Sequence, residues 1–422
     1  MKSIILKYNK NNIINNNIKI NISGSKSESN RLLIIKKLFD KSNNLKLINL
    51  SNSRDTNIMI DSLNNKNKIL NIKDAGTVMR FLISYFIIKN KKKKKIILTG
   101  SSRMKKRPIY DLVESLKKLG ANIIYKKKIG FPPIEIIGKK IKKNKIYINS
   151  NISSQFITSI LLISPKFKNE FKIFLNNNIT SLSYIKMTLK IFKKFNFKFK
   201  FKNNLITIKH KKYIKKKKYY IESDWSSASY FYSIISLLNN IKLTLISFKK
   251  KSLQGDNIIY KIYKKYFGIN TKFKKNKIII KKKKKFIYPN FLKINLKSTP
   301  DIAQTIILTC SQLKIKCLLT GLKTLNIKET NRLKALNNEL KKIGTITKIN
   351  NNSIEIINFK KKKNKKIFIK TYKDHRMAMS FSILAIKNKK IIIENPDTIN
   401  KSYPNFWKDL KKIGFNYKIN NN

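Results

Sequence analysis

The chain has 422 residues, and 96 lysines and arginines against 20 acidic residues give it a formal net charge of +76. Its hydrophobic fraction of 41% is enough for folded domains and excludes a wholly disordered chain. Because one hydrophobic core rarely organises more than about 250–300 residues, we expect two or more domains.

The positive charge is spread along the chain. Runs such as Lys281 to Lys285 lie between apolar segments, where hairpin tips and loops are expected, and they are not interleaved with aromatic residues as a base-stacking surface would be. We therefore expect no specific nucleic-acid partner. Apolar stretches are too short for a membrane span, and Ile4 to Leu6 are too few for a secretory signal, so we expect a cytoplasmic protein without a membrane partner.

Arginine is rare in this chain. Seven of the 96 basic residues are arginines, which leaves 89 lysines (96 − 7). A guanidinium grips a carboxylate or phosphate at two points, whereas an ammonium is a single point charge. Six arginines lie in phrases typical of ligand-binding motifs and indicate an anion site: Arg31, Arg80, Arg103, Arg107, Arg332 and Arg376.

Two predicted helices near the start of the chain begin at polar phrases. Lys26, Ser27 and Arg31 lie at or within the first turns of a helix that includes Leu32 to Phe39. Backbone N–H groups at a helix start favour an anion, and these three side chains add donors. Gly76 precedes the other helix, where the missing side chain permits close approach of a ligand to the backbone.

A third predicted helix begins with uncharged donors. Ser153, Ser154 and Gln155 precede an apolar run. Such donors suit a phosphate that is partly neutralised elsewhere, but an ordinary N-cap explains this phrase equally well.

Two carboxylates in the second half of the chain are candidates for proton transfer. Asp301 follows Pro300 before an apolar helical run, where a simple N-cap is the alternative. Glu329 lies between Lys328 and Arg332, whose charges can hold its carboxylate near a reacting anion. A salt bridge between residues i and i+3 of a helix is an equally good interpretation of Glu329.

One local phrase recurs along the chain: an amphipathic stretch with two lysines, then Gly or Asn, then alternating strand-like residues. A glycine after a helical pattern indicates a C-cap, because it adopts the left-handed conformation without a Cβ clash. Each copy therefore predicts a helix, a cap and a strand, and six units of about 70 to 80 residues predict two domains of three units, divided near residues 222–224. The second lysines of the copies, of which the first is the weakest, are Lys37, Lys118, Lys194, Lys265, Lys342 and Lys412.

Several phrases resemble, in chain order, the motifs of the EPSP synthase family of enolpyruvyl transferases: GSKSESNR, DAGTVMR, RMKKRP, ISSQF, SDWSSASYF, LQGD, TPDIAQT, KETNR, DHRMAMS and NKSYPNFW. The resemblance implies an α/β fold, a two-domain inverse α/β barrel with three repeat units in each domain. It implies that residues 1–22 and 224–422 form one discontinuous domain and residues 23–223 an inserted one, with the active site in the interdomain cleft.

The same resemblance implies two anionic small-molecule substrates, no metal, no organic cofactor, and a monomer. The residues expected to hold shikimate 3-phosphate are Lys26, Ser27, Arg31, Ser153, Ser154, Gln155, Ser181, Asp301 and Lys328. The residues expected to hold phosphoenolpyruvate are Lys26, Gly76, Arg107, Gln155, Arg332, Arg376 and Lys401.

The reaction implied by the resemblance transfers the enolpyruvyl group of phosphoenolpyruvate to the 5-hydroxyl of shikimate 3-phosphate. It gives 5-enolpyruvylshikimate 3-phosphate and phosphate, on the shikimate pathway of aromatic amino-acid biosynthesis. Asp301 is the implied base near the hydroxyl, Glu329 the proton donor and acceptor at the methylene carbon, and Lys26 their electrostatic partner.

Three positions depart from the family pattern: Thr324 replaces an asparagine, Ser181-Leu182-Ser183-Tyr184 replaces a phrase with proline, and Phe81 replaces a proline. One alternative function is that of the related UDP-N-acetylglucosamine enolpyruvyltransferase, which usually carries a cysteine in the loop matching Arg103 to Arg107; this loop has none. The other is a degenerate basic nucleic-acid-binding protein, which would need neither Asp301 nor Glu329.

Overall fold

A computed structural model describes residues 2–13, 16–89, 94–149, 154–176, 179–361 and 366–421. These residues form twelve α-helices and 22 strands. The helices are α1 (Lys26–Phe39), α2 (Arg54–Asn64), α3 (Gly76–Lys89), α4 (Tyr110–Leu119), α5 (Ser154–Ile163), α6 (Leu182–Lys194), α7 (Trp225–Leu237), α8 (Ile259–Phe267), α9 (Ala303–Leu313), α10 (Arg332–Lys342), α11 (His375–Phe381) and α12 (Phe406–Lys411).

The strands are short. They are β1 (Ser3–Tyr8), β2 (Asn17–Ile20), β3 (Lys46–Ile48), β4 (Ile69–Asn71), β5 (Lys95–Thr99), β6 (Asn122–Tyr125), β7 (Ile134–Ile137), β8 (Lys145–Asn149), β9 (Phe171–Asn176), β10 (Phe199–Lys202), β11 (Leu205–Ile208), β12 (Lys218–Tyr220), β13 (Lys242–Ile246), β14 (Ile269–Lys274), β15 (Lys277–Lys282), β16 (Phe291–Asn295), β17 (Lys316–Thr320), β18 (Thr345–Ile349), β19 (Ile354–Phe359), β20 (Ile367–Ile369), β21 (Ile391–Glu394) and β22 (Phe415–Asn420).

The chain divides into two compact units. The discontinuous unit comprises Met1–Gly24 and Glu222–Asn422, and the inserted unit comprises Ser25–Ile221. The sequence predicts that the chain crosses between the units after residues 22 and 223; in the structure it crosses after Gly24 and Ile221.

The discontinuous unit contains three four-stranded sheets, and all have the same topology. Their strand orders are β14-β15-β13-β2, β16-β17-β19-β18 and β20-β21-β1-β22. Each sheet has one parallel pair at an edge and two antiparallel pairs in the remaining positions. The common topology makes these sheets structural repeats of one another.

The inserted unit contains two more sheets of this kind and one smaller sheet. The sheets β4-β5-β7-β6 and β10-β11-β9-β8 again join one parallel and two antiparallel pairs. In the third sheet the described residues form a single parallel pair, β3 with β12. The mixed α/β repeat fold predicted from the sequence is confirmed. The repeat with the reduced sheet, β3 with β12, is the first one.

Five of the predicted helix ends have a residue with positive φ just before the next strand. These residues are Gly120, Asn196, Gly268, Gly344 and Gly414, with φ between 56° and 109°. Each precedes a strand that begins within the next three residues. The first copy differs, because its C-cap Asp40 has φ −89° and the residue with positive φ, Asn43, comes four positions after the end of α1. The positive-φ residue directly after the helix is therefore found in the repeats where a strand follows the helix within a few residues.

Alternation along the strands places the lysines of a sheet on its solvated face. In β13, Leu243 and Leu245 are buried while Lys242 is exposed, and these leucines pair with buried Ile280 and Ile278 of β15. The apolar faces cover helices that are buried on nearly every side, such as α7 and α9, which pack against each other. A net charge of +76 is therefore compatible with an apolar core.

Candidate active site

The start of α1 brings a lysine next to a buried carboxylate. The side chain of Ser25 caps the helix by accepting from the backbone N–H of Glu28, at 3.4 Å. Lys26 follows at the first helical position, and its Nζ donates to Oδ2 of Asp55 at 3.1 Å. Asp55 is 2% exposed, so the ion pair holds the Lys26 ammonium at the helix start, where backbone N–H groups also attract an anion.

Arg31 is a buried guanidinium surrounded by neutral oxygens. Nε donates to Thr188 Oγ1 at 2.9 Å, Nη1 to the carbonyl of Ser27 at 2.6 Å, and Nη2 to Thr158 Oγ1 and the carbonyl of Tyr184. Burial lowers the pKa of Arg31 to about 10, so the group remains charged at neutral pH. A buried cation gains from a bound anion, and the binding of an anion at Arg31 stays a prediction.

Phe81 packs against that guanidinium. Its ring centroid lies 5.6 Å from Cζ of Arg31, within cation–π range, and its side chain is 1% exposed. Phe81 lies in the interior of α3, where a proline would remove a backbone donor. This departure from the family pattern thus adds a contact that orients Arg31.

Gly76 lies directly under two guanidinium groups. A Cβ atom added at Gly76 would lie 2.3 Å from Nη1 of Arg107 and 2.6 Å from Nη1 of Arg80. Arg80 donates to the carbonyl of Gly76 at 2.8 Å and to that of Pro108 at 3.3 Å. The absent side chain at Gly76 is therefore what permits Arg107 to lie across the start of α3.

The uncharged donors expected at the third helix fall partly within the described residues. Ser154 begins α5 and is 6% exposed, and Gln155 Nε2 donates to Thr77 Oγ1 at 3.2 Å. Ser181 precedes α6 in the left-handed conformation, at φ 51°, which costs energy for a residue with a Cβ. Ser153 lies outside the described residues.

In the discontinuous unit, Arg332 joins three carboxylates. Nε donates to Asp374 Oδ2 at 2.8 Å, Nη1 to Asp301 Oδ1 at 3.0 Å and Nη2 to Glu329 Oε2 at 2.9 Å. Burial alone would lower the pKa of Arg332, but these carboxylates outweigh it and raise the pKa. The planar guanidinium donates in fixed, separate directions and so reaches all three carboxylates. A lysine ammonium at this position could not hydrogen-bond to all three at once.

Asp301 is surrounded by cations. Besides Arg332, its carboxylate lies 3.4 Å from Lys328 Nζ and 3.3 Å from Arg376 Nη2. Burial lowers the pKa of Lys328, and the charge of Asp301 opposes that effect. Asp301 lies inside a single helical turn, Pro300–Ile302, that runs into α9, whose N-cap is Ile302. The simple N-cap offered as the alternative for Asp301 is therefore wrong.

Glu329 is held from both sides. Its Oε2 accepts from Arg332, and its Oε1 lies 3.8 Å from Nζ of Lys401, a lysine that is 3% exposed. An i,i+3 salt bridge with Arg332 is present, but Glu329 precedes α10, so this is not the ion pair within a helix that the sequence offered as an alternative. The second cation, Lys401, comes from a distant part of the chain and lies at the outer edge of ion-pair distance.

Asp256 is a further carboxyl group beside this cluster. It accepts a short hydrogen bond from Ser226 Oγ, and Ser226 Oγ also accepts from Arg376 Nη2 at 3.3 Å. Burial, and then the negative charge of Asp301, raise the pKa of Asp256 to about 7. Asp256 therefore holds a proton more readily than an exposed aspartate, which relieves repulsion with Asp301.

The comparisons with known proteins agree on one family. A family model described as EPSP synthase (3-phosphoshikimate 1-carboxyvinyltransferase) matches residues 61–410. A relative from Bacteroides fragilis (strain YCH46) with the name 3-phosphoshikimate 1-carboxyvinyltransferase is 37% identical over 401 residues, which span 95% of this chain and 96% of the relative. The chain belongs to the EPSP synthase family. The resemblance seen in the sequence motifs is confirmed.

Other members of the EPSP synthase family extend the comparison. One from Buchnera aphidicola subsp. Cinara cedri (strain Cc) is 37% identical over 433 residues and spans 96% of each chain. The solved EPSP synthase from Acinetobacter baumannii has a TM-score of 0.74 at 19% identity and covers 99% of this chain and 100% of its own. At that identity the structural likeness shows the fold alone, and it confirms the predicted fold class.

Several residues of this EPSP synthase family member contact the predicted site residues but were not singled out from the sequence. Asp256 lies in the phrase LQGD and Asp374 in DHRMAMS, so both could have been identified from motifs that the sequence shares with the family. Asp55, Thr158 and Thr188 had no such signal, because their contacts with Lys26 and Arg31 depend on packing. Thr324, which replaces the family's asparagine, is part of a short helical turn, and its Oγ1 is buried without a hydrogen-bond partner among the described residues.

No helix in the described part of the chain is long and apolar enough to cross a membrane.

Proposed function

We propose that this member of the EPSP synthase family transfers the enolpyruvyl group of phosphoenolpyruvate to the 5-hydroxyl of shikimate 3-phosphate, releasing phosphate. The observation that carries the proposal is that one buried guanidinium, Arg332, holds both Asp301 and Glu329. Addition to phosphoenolpyruvate needs a proton delivered to carbon and a proton removed from a hydroxyl, so two fixed carboxyl groups match its requirements.

In the discontinuous unit, Asp301 accepts the proton of the attacking hydroxyl, and Glu329 delivers a proton to the methylene carbon. During elimination Glu329 removes a proton from the resulting methyl group, and Asp301 gives its proton to the departing phosphate. Lys328, Arg376 and Arg332 hold Asp301 in its charged form, which suits a group that must receive a proton. Arg332, Arg376 and Lys401 also offer the positive charge that the phosphoenolpyruvate dianion needs.

The proposed binding residues for shikimate 3-phosphate in the inserted unit are Lys26, Ser27, Arg31, Ser153, Ser154, Gln155 and Ser181. The proposed binding residues for phosphoenolpyruvate in this unit are Lys26, Gly76, Arg107 and Gln155. Two multiply charged anions repel each other, so bringing them together needs a dense set of cations. The rare arginines supply much of that charge.

The direct test is identification of the product. Purified protein supplied with both substrates should give a compound that keeps the 3-phosphate and gains the two vinyl protons of an enol ether in its NMR spectrum. A product formed by hydrolysis of phosphoenolpyruvate alone would contradict the proposal.

We also propose that the protein acts as a monomer in the cytoplasm, where its phosphorylated substrates are retained because they cross membranes poorly. The chain mass of 49.5 kDa gives the mass expected from light scattering in solution.

Replacing Phe81 by leucine should weaken the binding of shikimate 3-phosphate roughly 2- to 30-fold, because a buried cation–π contact is worth about 0.5–2 kcal/mol. Calorimetric titration of the variant with shikimate 3-phosphate measures this effect. Phe86→Leu is the matched control, since Phe86 lies on the same helix and its ring packs against Tyr85. An equal loss of affinity in both variants would show that Phe81 acts only through the packing of α3.

Replacing Gly76 by alanine should raise KM for phosphoenolpyruvate roughly tenfold while kcat changes by less than about threefold. The new methyl group would displace the guanidinium of Arg107, and a charge-assisted contact is worth about 1.5–3 kcal/mol when fully lost. Steady-state kinetics with varied phosphoenolpyruvate measures the change. Gly120→Ala is the control, because no atom lies within 4 Å of its added Cβ and its φ of +109° predicts a loss of stability alone. A higher KM in the control as well would remove Arg107 from the explanation.

A further inference from the structure

The inserted unit contains a cavity that the proposed reaction does not use. It has a volume of about 520 Å³, within the roughly 300–1,000 Å³ typical of small-molecule sites. It lies at the C-terminal end of α6 and along the segment 210–216 that links β11 to β12. Five of the nine residues around it are lysines, and none is acidic: the lysines are Lys194, Lys211, Lys212, Lys215 and Lys216.

This cavity, the lysine cavity, is separate from the proposed substrate residues of the same unit. Ser181 lies immediately before α6, and Lys194 is the last residue of that helix. A helix of 13 residues is about 20 Å long at 1.5 Å per residue. An anion in the lysine cavity would therefore lie far from one bound at Ser181.

The segment that carries the lysines is fixed to the unit at several points. The backbone N–H of Lys211 donates to the carbonyl of Pro165 at 2.8 Å, and that of Ile214 donates to the carbonyl of Phe39 at 3.0 Å. The Ile214 side chain is 6% exposed, and Lys46 donates to the carbonyl of Lys217 at 2.8 Å. The ammonium groups are thus attached to a backbone held on both sides of the cavity, unlike those of a loose loop.

None of the nine described residues around the cavity is acidic, so no lining carboxylate balances the charge of its lysines. The C-terminal end of α6 contributes the equivalent of about half a negative charge, against five ammonium groups. Lys216 lies 5.5 Å from the ring centroid of Tyr219, and Lys211 Nζ donates to the carbonyl of Asn196 at 3.2 Å, so aromatic faces and a carbonyl provide the local attraction. Several like charges around one cavity repel, and a multiply charged anion would remove that repulsion.

We propose that the lysine cavity binds an oligophosphate, an anion with three or more negative charges in a chain of phosphoryl groups. Ammonium groups bind phosphate oxygens as point charges and do not require a planar ligand. A phosphate ligand therefore suits a cluster of lysines better than a carboxylate ligand does. The cavity is larger than a single phosphate requires. Tyr213 lines the cavity and is 45% exposed, so its ring offers an aromatic face to a nucleoside. The molecule that carries the phosphate chain is therefore either free polyphosphate or a nucleoside triphosphate.

The test is calorimetric titration of the full-length protein with tripolyphosphate, ATP and orthophosphate at roughly 0.3 M salt. At that ionic strength the attraction of an anion to scattered single lysines is screened, whereas lysines clustered around one cavity contact the anion directly. We expect one tripolyphosphate per chain, and at least tenfold weaker binding after Lys211→Gln with Lys215→Gln. Tighter binding of ATP than of tripolyphosphate would identify a nucleotide as the ligand, and equal binding would identify the phosphate chain alone.

The matched control removes the same charge from the other unit, by Lys283→Gln with Lys285→Gln. Both of these lysines are exposed and follow β15. The control should bind tripolyphosphate like the parent protein. Equal weakening in both double variants, orthophosphate binding as tight as that of tripolyphosphate, or no saturable binding would overturn the proposal. Unchanged kcat and KM in the Lys211→Gln, Lys215→Gln protein would show that its fold is intact.

Discussion

Glu329→Gln and Asp301→Asn should each lower kcat by about a hundredfold or more while shikimate 3-phosphate still binds within about tenfold of the parent affinity. Both changes keep the size of the side chain but remove the group that accepts or donates a proton, and general acid–base catalysis contributes typically 10²–10⁴-fold. Lys328, Arg332 and Arg376 lie beside Asp301, and Arg332 and Lys401 beside Glu329, so the amides also leave positive charge that favours anion binding. Single-turnover kinetics together with equilibrium binding separates the two effects.

Glu339→Gln provides the control for removal of a buried carboxylate. Glu339 is 0% exposed, and it accepts from Lys342 at 2.6 Å and from the hydroxyl of Tyr372 at 2.8 Å. We expect a lower melting temperature and nearly unchanged kcat in this variant. If Asp301→Asn or Glu329→Gln instead abolished binding and left turnover of the bound complex intact, their role would be structural.

Arg332→Lys should lower kcat/KM for phosphoenolpyruvate by about 5- to 150-fold, which corresponds to roughly 1–3 kcal/mol. The charge is kept, but an ammonium cannot hold Asp374, Asp301 and Glu329 in the positions set by the guanidinium. The melting temperature should also fall, because the side chain is 2% exposed and its carboxylate partners would lose fixed hydrogen bonds. Steady-state kinetics and thermal unfolding of the same preparation measure both losses.

Arg54→Lys is the same chemical change in a different setting. Arg54 contacts Asp74 at 2.9 Å, but its side chain is 41% exposed, and exposed ion pairs contribute little. It should change kcat/KM by less than about threefold. Equal effects of the two substitutions would mean that the arginines of the motifs are no more important than the arginine outside them.

The repeat architecture was predictable because its signals are local. A glycine or asparagine after an amphipathic stretch fixes the end of a helix through backbone sterics, and residues such as Gly120, Gly268 and Gly414 do have positive φ. The sequence also indicated that the first copy is atypical, and Asp40, the C-cap of α1, has a negative φ. A short-range rule therefore located the boundaries of most units.

The contacts of the candidate site were less predictable because they join distant parts of the chain. Arg31 was identified by its rarity and its motif, but its contact with Phe81 depends on how α1 and α3 pack. Asp256 and Asp301 are 45 positions apart (301 − 256), and their mutual effect on the pKa of Asp256 depends on burial. No pattern in a single sequence gives the position of such pairs.

The most direct test of the proposed function is phosphate release from phosphoenolpyruvate with two competing acceptors. With shikimate 3-phosphate, the parent protein should release one phosphate for each enol ether formed, and Glu329→Gln should release about a hundredfold less per unit time. With UDP-N-acetylglucosamine as the acceptor, no phosphate should be released. Turnover with UDP-N-acetylglucosamine, or equal release with and without any acceptor, would contradict the assignment.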